Sequence, residues 1–174
     1  MSWLKRRVLL IAPLALLMGA AACGFTPVHA PGGTGALLHD QVLVQAPEEV
    51  PSNSNVAAYF LVRALEDDLG RGGGGTYALD LRVNQDVEGQ AITADNEITR
   101  YSVQGTASYT LRRLSDGAVM ASGTVNNFTG YSATGSTIDT LASERDAEER
   151  LMEILADQIV TRLYTSAKLD AGSE

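Results

Sequence analysis

The chain has 174 residues, of which 45% are hydrophobic and 20% are charged, and its formal net charge is −8. Nucleic-acid binding needs clustered lysine and arginine to displace counterions from phosphates, so we expect no nucleic-acid partner for this acidic chain. Cys23 is the single cysteine. No disulfide can therefore form within the chain, and we expect the fold to be held by packing alone.

The first 22 residues are typical of an export signal. Lys5, Arg6 and Arg7 form a basic start, residues 8–18 are an apolar run, and small residues precede Cys23. The apolar run is roughly half of the ~20 residues that a membrane-spanning helix needs. We therefore predict a signal peptide at residues 1–22. Its removal leaves 174 − 22 = 152 residues, enough for one domain, and a charge of 10 − 21 = −11.

Cys23 lies where the signal ends, and two processing routes fit this position. In a bacterial lipoprotein the thiol receives a diacylglyceryl group, the chain is cut before it, and the new amine is usually acylated. Ala20 departs from the larger aliphatic residue preferred by that route, and Ala20 with Ala22 also fits ordinary A-x-A cleavage. We favour lipidation, because an exposed unpaired thiol would invite oxidation, whereas two or three acyl chains anchor firmly. Gly24, instead of Asp, indicates sorting away from the inner membrane.

The mature chain begins with a predicted lipidated tether at residues 23–40. Its prolines and glycines disfavour helix and sheet, so we predict a flexible spacer. A short strand follows at residues 41–45, with no partner assigned. Residues 55–69 then place apolar side chains on one helical face, with Ser54 among the candidate caps. Gly70 is suited to end this helix.

Alternating apolar and polar residues predict three more strands, and a final apolar stripe predicts a long helix. An Asp-Gly turn at residues 115–117 joins the last two strands as a hairpin. These elements are strands at residues 76–84, 98–114 and 118–131, a polar connection at 86–96, a loop at 132–140, a helix at 141–168 and a disordered tail at 169–174.

The predicted fold class is α+β. Two helices on one face of a four-stranded sheet, in the order β-α-β-β-β-α, would bury every apolar face, so we predict a two-layer sandwich over residues 41–168.

The motifs typical of enzymes are weak in this sequence. Residues 70–75 satisfy G-x-G-x-x-G, but a helix precedes them and a strand follows, which is the reverse of a nucleotide site. His29 lies in the predicted tether and His39 at its edge, so metal and catalytic sites are poorly supplied. We therefore predict no cofactor, no metal and no enzymatic activity.

The start of the mature chain resembles a known family. Residues 23–28, CGFTPV, with Pro31, Gly32 and Gly33 behind them, are similar to the N-terminus of the lipopolysaccharide-assembly lipoprotein family LptE in its alphaproteobacterial form. The order of elements also resembles that family's fold. The resemblance implies an outer-membrane lipoprotein facing the periplasm, which plugs the LptD β-barrel and helps it to insert lipopolysaccharide. Only the lipidated cysteine carries over by motif, onto Cys23.

The residues themselves offer candidates for contact with lipopolysaccharide phosphates. Arg100, Arg112 and Arg113 lie in the predicted hairpin, and a guanidinium can bind a phosphate through two parallel hydrogen bonds. The alternative is that these are solvated arginines at strand ends. A second function also stays open, an auxiliary or scaffold lipoprotein of another envelope lipid-trafficking transport system.

Overall fold

The computed structural model describes residues 27–48, 50–92, 97–167 and 169. The predicted signal peptide, Cys23 and residues 170–174 lie outside the described residues. A 3-10 turn, Ser52–Ser54, precedes the second of the helices. The elements in chain order are α1 (Thr34–Leu38), β1 (Val42–Val44), α2 (Asn55–Leu69), β2 (Tyr77–Ile92), β3 (Ile98–Arg113), β4 (Val119–Ser132) and α3 (Thr137–Ser166).

The predicted α+β sandwich is confirmed, with β1, β2, β3 and β4 side by side in that order. β1 pairs in parallel with β2, while the two other pairs are antiparallel. β2 continues to Ile92, so the predicted connection at 86–96 was wrong for its first seven residues. Residues 86–90 are all exposed, so this part of β2 has no buried face that an alternating pattern could report. Its pairing with β3, which keeps one register as far as Gly89 opposite Tyr101, makes it a strand.

The core lies between one face of the sheet and the facing sides of α2 and α3. Gly105 of β3 lies directly below α3, where an added Cβ would come 3.0 Å from Leu151 Cδ2 and 3.1 Å from Leu155 Cδ1. The missing side chain therefore lets the helix approach the sheet closely. Leucine is the commonest residue type in this core, and its fully buried members are Leu38, Leu61, Leu65, Leu69, Leu79, Leu111, Leu151, Leu155 and Leu163.

The segment before β1 differs from the prediction of an irregular spacer. Residues 34–38 form α1, and Leu38 is buried in the core. The Asp40 N–H donates to the Leu69 carbonyl at 2.8 Å, and the His29 ring lies edge-on to Tyr164 with centroids 5.5 Å apart. These contacts with the ends of α2 and α3 offset the weak helix propensity of the segment.

α2 begins and ends at the predicted residues, but its predicted cap has another role. Ser54 makes no side-chain capping bond to this helix. Its hydroxyl instead accepts a 3.0 Å hydrogen bond from the Gln85 N–H of β2, and Asn53 Nδ2 donates to the Gln85 carbonyl at 2.8 Å. The turn before α2 therefore hydrogen-bonds both the N–H and the carbonyl of Gln85 in β2.

The connections on either side of β4 are the predicted hairpin turn and the start of α3, which lies earlier than predicted. Gly117, with φ of 73°, forms the predicted turn, and β3 and β4 form the predicted hairpin. α3 begins at Thr137, four residues before the predicted start, because Ser136 and Asp139 form a capping box. The predicted loop thus ends at Ser136.

Candidate binding surfaces

The structure does not bring the three predicted arginines together. Arg112 lies on the outer face of the sheet, meaning the side of β2, β3 and β4 turned away from α2 and α3, and its Nη2 is 2.5 Å from Asp80 Oδ2. Arg113 is tied to the hairpin turn, with Nη1 3.0 Å from Asp116 Oδ2. Arg100 lies twelve residues before Arg112, which is about 40 Å along a strand. The three side chains therefore cannot bind one phosphate.

The outer face is rich in hydroxyl and amide groups. The Ser108 and Thr124 hydroxyls are 2.9 Å apart across β3 and β4, and Phe128 is an exposed aromatic residue at 69% accessibility. Near β1, a depression of about 540 Å³ lies between Gln45–Glu48 and the ion pair of Asp80 with Arg112. The polar side chains of the outer face include Gln104, Thr106, Ser108, Thr110, Ser122, Thr124 and Asn126.

β4 is an edge strand, because β3 is its one partner in the described sheet. The Ala133 N–H donates to the Thr99 carbonyl at 2.9 Å, which shows which alternate residues of β4 hydrogen-bond to β3. From residue 121 onward, odd-numbered residues of β4 therefore bond to β3, and the even-numbered residues direct their N–H and C=O groups to the open side. Two of these open-side groups have partners. Arg162 Nη1 donates to the Thr124 carbonyl at 2.7 Å, and Asn127 Oδ1 accepts from the Phe128 N–H at 2.8 Å.

Apart from these two groups, the sequence of β4 leaves the edge open to pairing with another strand. Its 14 residues contain no charged residue and no proline, which are the usual protections of an edge strand against pairing. Such an edge accepts an extended segment through main-chain hydrogen bonds, and exposed side chains beside it add specificity. Phe128 lies on the edge itself.

A polar cluster lies under the first half of α3, on the covered face. Gln85 is buried, and its Nε2 donates to Glu148 Oε1 at 2.5 Å. Tyr131 stacks on Tyr101 with centroids 5.2 Å apart. Burial, followed by the charge of Glu144, raises the pKa of Tyr131 to about 12. The Tyr131 hydroxyl is therefore neutral near pH 7, where it can donate a hydrogen bond.

The glycine-rich segment at residues 70–75 joins α2 to β2. A Cβ at Gly72 or Gly75 would clash with the backbone carbonyls of Val42 or Gln41, so these glycines permit close packing against β1. Among the described residues, no three His, Cys, Asp or Glu side chains are grouped to hold a metal ion. No helix in the described ranges combines the length and hydropathy needed to span a bilayer.

Comparisons with known proteins give one family and several similar structures. The LptE family model, described as lipopolysaccharide-assembly, matches residues 49–163. A lipoprotein of Caulobacter crescentus has a TM-score of 0.60 and 22% identity, covering 76% of this chain and 93% of its own. That likeness shows a shared fold.

More distant structures come from two other bacteria. A Xanthomonas campestris protein has a TM-score of 0.48 and 18% identity, covering 72% of this chain and 84% of its own. A minor lipoprotein of Acinetobacter baumannii has a TM-score of 0.45 and 17% identity, with coverage of 72% and 93%. No match is found among curated proteins.

Proposed function

The chain belongs to the LptE lipopolysaccharide-assembly family, and we propose that it is the outer-membrane lipoprotein that plugs the LptD β-barrel and assists lipopolysaccharide insertion at the cell surface. The family match carries this proposal, because residues 49–163 include α2, the three long strands and most of α3. In this role the protein is a binding subunit and not an enzyme.

Lipidation of Cys23 is the proposed membrane attachment. The mature chain has a charge of 10 − 21 = −11, so bulk attraction to anionic headgroups would not hold it at a membrane. Acyl chains on Cys23 would do so independently of charge. We assign the anchored protein to the periplasmic face of the outer membrane, as the family resemblance implies.

We assign the main barrel contact to the outer face and the open edge of β4. Charged side chains are depleted and aromatic ones are enriched in the centre of protein interfaces. The outer face beside β4 fits this composition, with hydroxyl and amide groups around Phe128. The exposed side of the helices does not, since it carries acidic residues that include Asp67, Asp68, Asp146, Glu153 and Asp157.

Among the three candidate arginines, Arg100 is the one we propose for a lipopolysaccharide phosphate. It forms no ion pair with another described residue, and it lies on the outer face near Gly130. Arg112 would have to break its ion pair with Asp80 before it could bind a phosphate through two hydrogen bonds, and Arg113 would have to break its ion pair with Asp116.

The proposal is tested by co-purification of the native protein from solubilised outer membranes. A C-terminally tagged copy should recover a large β-barrel polypeptide and lipopolysaccharide, and an untagged strain is the control. Recovery of inner-membrane transporter components instead would favour the auxiliary lipoprotein of another transport system. Absence of any barrel from the eluate would refute the proposed partnership.

A further inference from the structure

The chain enters the fold at the end of the domain where α2 and α3 finish and the β3–β4 hairpin turns. His29 contacts Tyr164 near the end of α3, and the Asp40 N–H bonds to Leu69 at the end of α2. β1 follows at once and is level with the hairpin end, because Leu43 pairs with Ala78 in the row that continues through Arg112. We call this end, comprising residues 27–44, 69–78, 111–121 and 163–166, the anchor end.

Docking of residues 27–40 shortens the reach of the proposed lipid anchor. The Gly35 N–H donates to the Val28 carbonyl at 2.9 Å, and Leu38 is fully buried, so the packed chain begins close to Pro27. Four peptide units separate Cys23 from Pro27, and they span at most about 14 Å. A tether running free to residue 40 would span several times that distance. The anchor end must therefore stay near the bilayer surface.

The hairpin at the anchor end carries exposed apolar side chains. Leu114 and Val119 flank the turn and are 54% and 60% exposed. The acidic residue of the turn is compensated, because Asp116 Oδ2 lies 3.0 Å from Arg113 Nη1. Leu43, also exposed, lies on the outer face in the same row of the sheet as Val119. Apolar side chains with neutralised charge suit the interfacial region of a bilayer.

We infer that the anchor end rests on the lipid bilayer, with Leu114 and Val119 in the interfacial region beside the acyl chains of Cys23. The domain is thereby held in one orientation, with the hairpin at the membrane surface and the starts of α2 and α3 at the opposite end of the domain. This inference rests on the proposed lipidation of Cys23. The lipid supplies attachment, and the hairpin supplies orientation.

Tryptophan fluorescence can test this orientation without emission from native tryptophan residues. The one tryptophan, Trp3, lies in the predicted signal peptide, so the mature chain has none. Leu114→Trp is introduced into the lipidated full-length mature protein and reconstituted in phosphatidylcholine vesicles with brominated acyl chains. We expect strong loss of emission relative to unbrominated vesicles. Ile138→Trp, at the 78% exposed start of α3, is the matched control and should keep its emission.

The outcomes separate the orientation from the lipidation. Val119→Trp is a second reporter if Leu114→Trp does not fold, as judged by circular dichroism. Intact mass shows whether Cys23 carries lipid, and an unmodified Cys23 would overturn both the lipidation and the inference. A lipidated, vesicle-bound protein in which neither hairpin reporter is quenched more than Ile138→Trp would overturn the orientation and leave the lipidation standing.

Discussion

The two faces of the sheet come from the same strands and yet differ almost completely in chemistry. Along β3, Leu111 and Ala107 are fully buried on the inner face, while Thr106 and Gln104 are exposed on the outer face. The inner face is covered by helices whose exposed side is charged, and the outer face carries hydroxyl and amide groups on β3 and β4, with charged residues mainly on β2. Alternate residues of one strand therefore belong to different surfaces: the inner residues stabilise the fold, and the outer residues lie on the face that we propose for the barrel contact.

The largest expected effect comes from removing a side chain of the inner layer. Leu155 of α3 is fully buried, and Leu155→Ala should lower the free energy of unfolding by about 2–5 kcal/mol through lost burial and a cavity. Urea denaturation measures this loss. Thr106→Ala, on the outer face, is the control and should change stability by less than about 0.5 kcal/mol. Equal losses in the two variants would contradict the division between the faces.

Enlarging a residue gives the next largest contrast. Gly105→Val places methyl groups where a Cβ alone would already be 3.0 Å from Leu151, so we expect about 1–3 kcal/mol of destabilisation from overpacking. Thr106→Val, one residue along the same strand, is the control, because Thr106 is exposed and valine has nearly the same shape as threonine. A stable Gly105→Val variant would mean that α3 moves away from the sheet without cost.

A smaller effect is expected where the turn before α2 covers β2. Ser54→Ala removes the acceptor of the Gln85 N–H and should cost about 1 kcal/mol, measured by thermal or urea unfolding. Ser108→Ala is the control, because it removes a hydrogen bond of similar length, between the Ser108 and Thr124 hydroxyls on the outer face. Because Ser108 is not buried, its loss should be close to neutral, and the reverse order would count against this contrast.

The smallest effect concerns the start of α3 and depends on pH. The hydrogen bonds from the Ser136 side chain and backbone lower the pKa of Asp139 below its ordinary value of 3.8. A lowered folded-state pKa stabilises the protein above the ordinary value, and this stabilisation is lost as the pH falls through the folded-state pKa. Asp139→Asn should therefore reduce stability at pH 7 and have little effect at the acidic end of a pH series of denaturation curves.

Ser136→Ala provides the control for that series. It removes the partner that lowers the pKa of Asp139, so it should diminish the same pH dependence, and the double variant should show less than the sum of the two effects. Additive effects of the two substitutions would show that the capping box is not the origin of the pH dependence.

Local patterns in the sequence were sufficient for much of the fold. The hairpin was predictable because Asp116 and Gly117 specify a turn between two alternating runs. α1 was missed because Leu38 is stabilised by packing in the core, which no local pattern reports. The length of β2 was missed because its exposed polar residues resemble those of a loop.

The candidate surfaces depend more on tertiary structure. Arg112 and Arg113 lie on opposite faces of the sheet because successive side chains of a strand alternate between the faces, and this could be predicted. The pairing of Arg112 with Asp80, however, requires the register of β2 on β3. The open edge of β4 could not be predicted, since the order of strands in the sheet decides which strand lies outermost.

Site-specific photo-crosslinking in cells tests most directly whether the outer face beside β4 binds the barrel. A photoreactive amino acid is placed at Asn126 on that face and, as a matched exposed position on the helices, at Glu153. We predict a covalent adduct with a large outer-membrane β-barrel from Asn126 and much less from Glu153. A barrel adduct from Glu153 alone, or none from either position, would contradict the proposed binding surface.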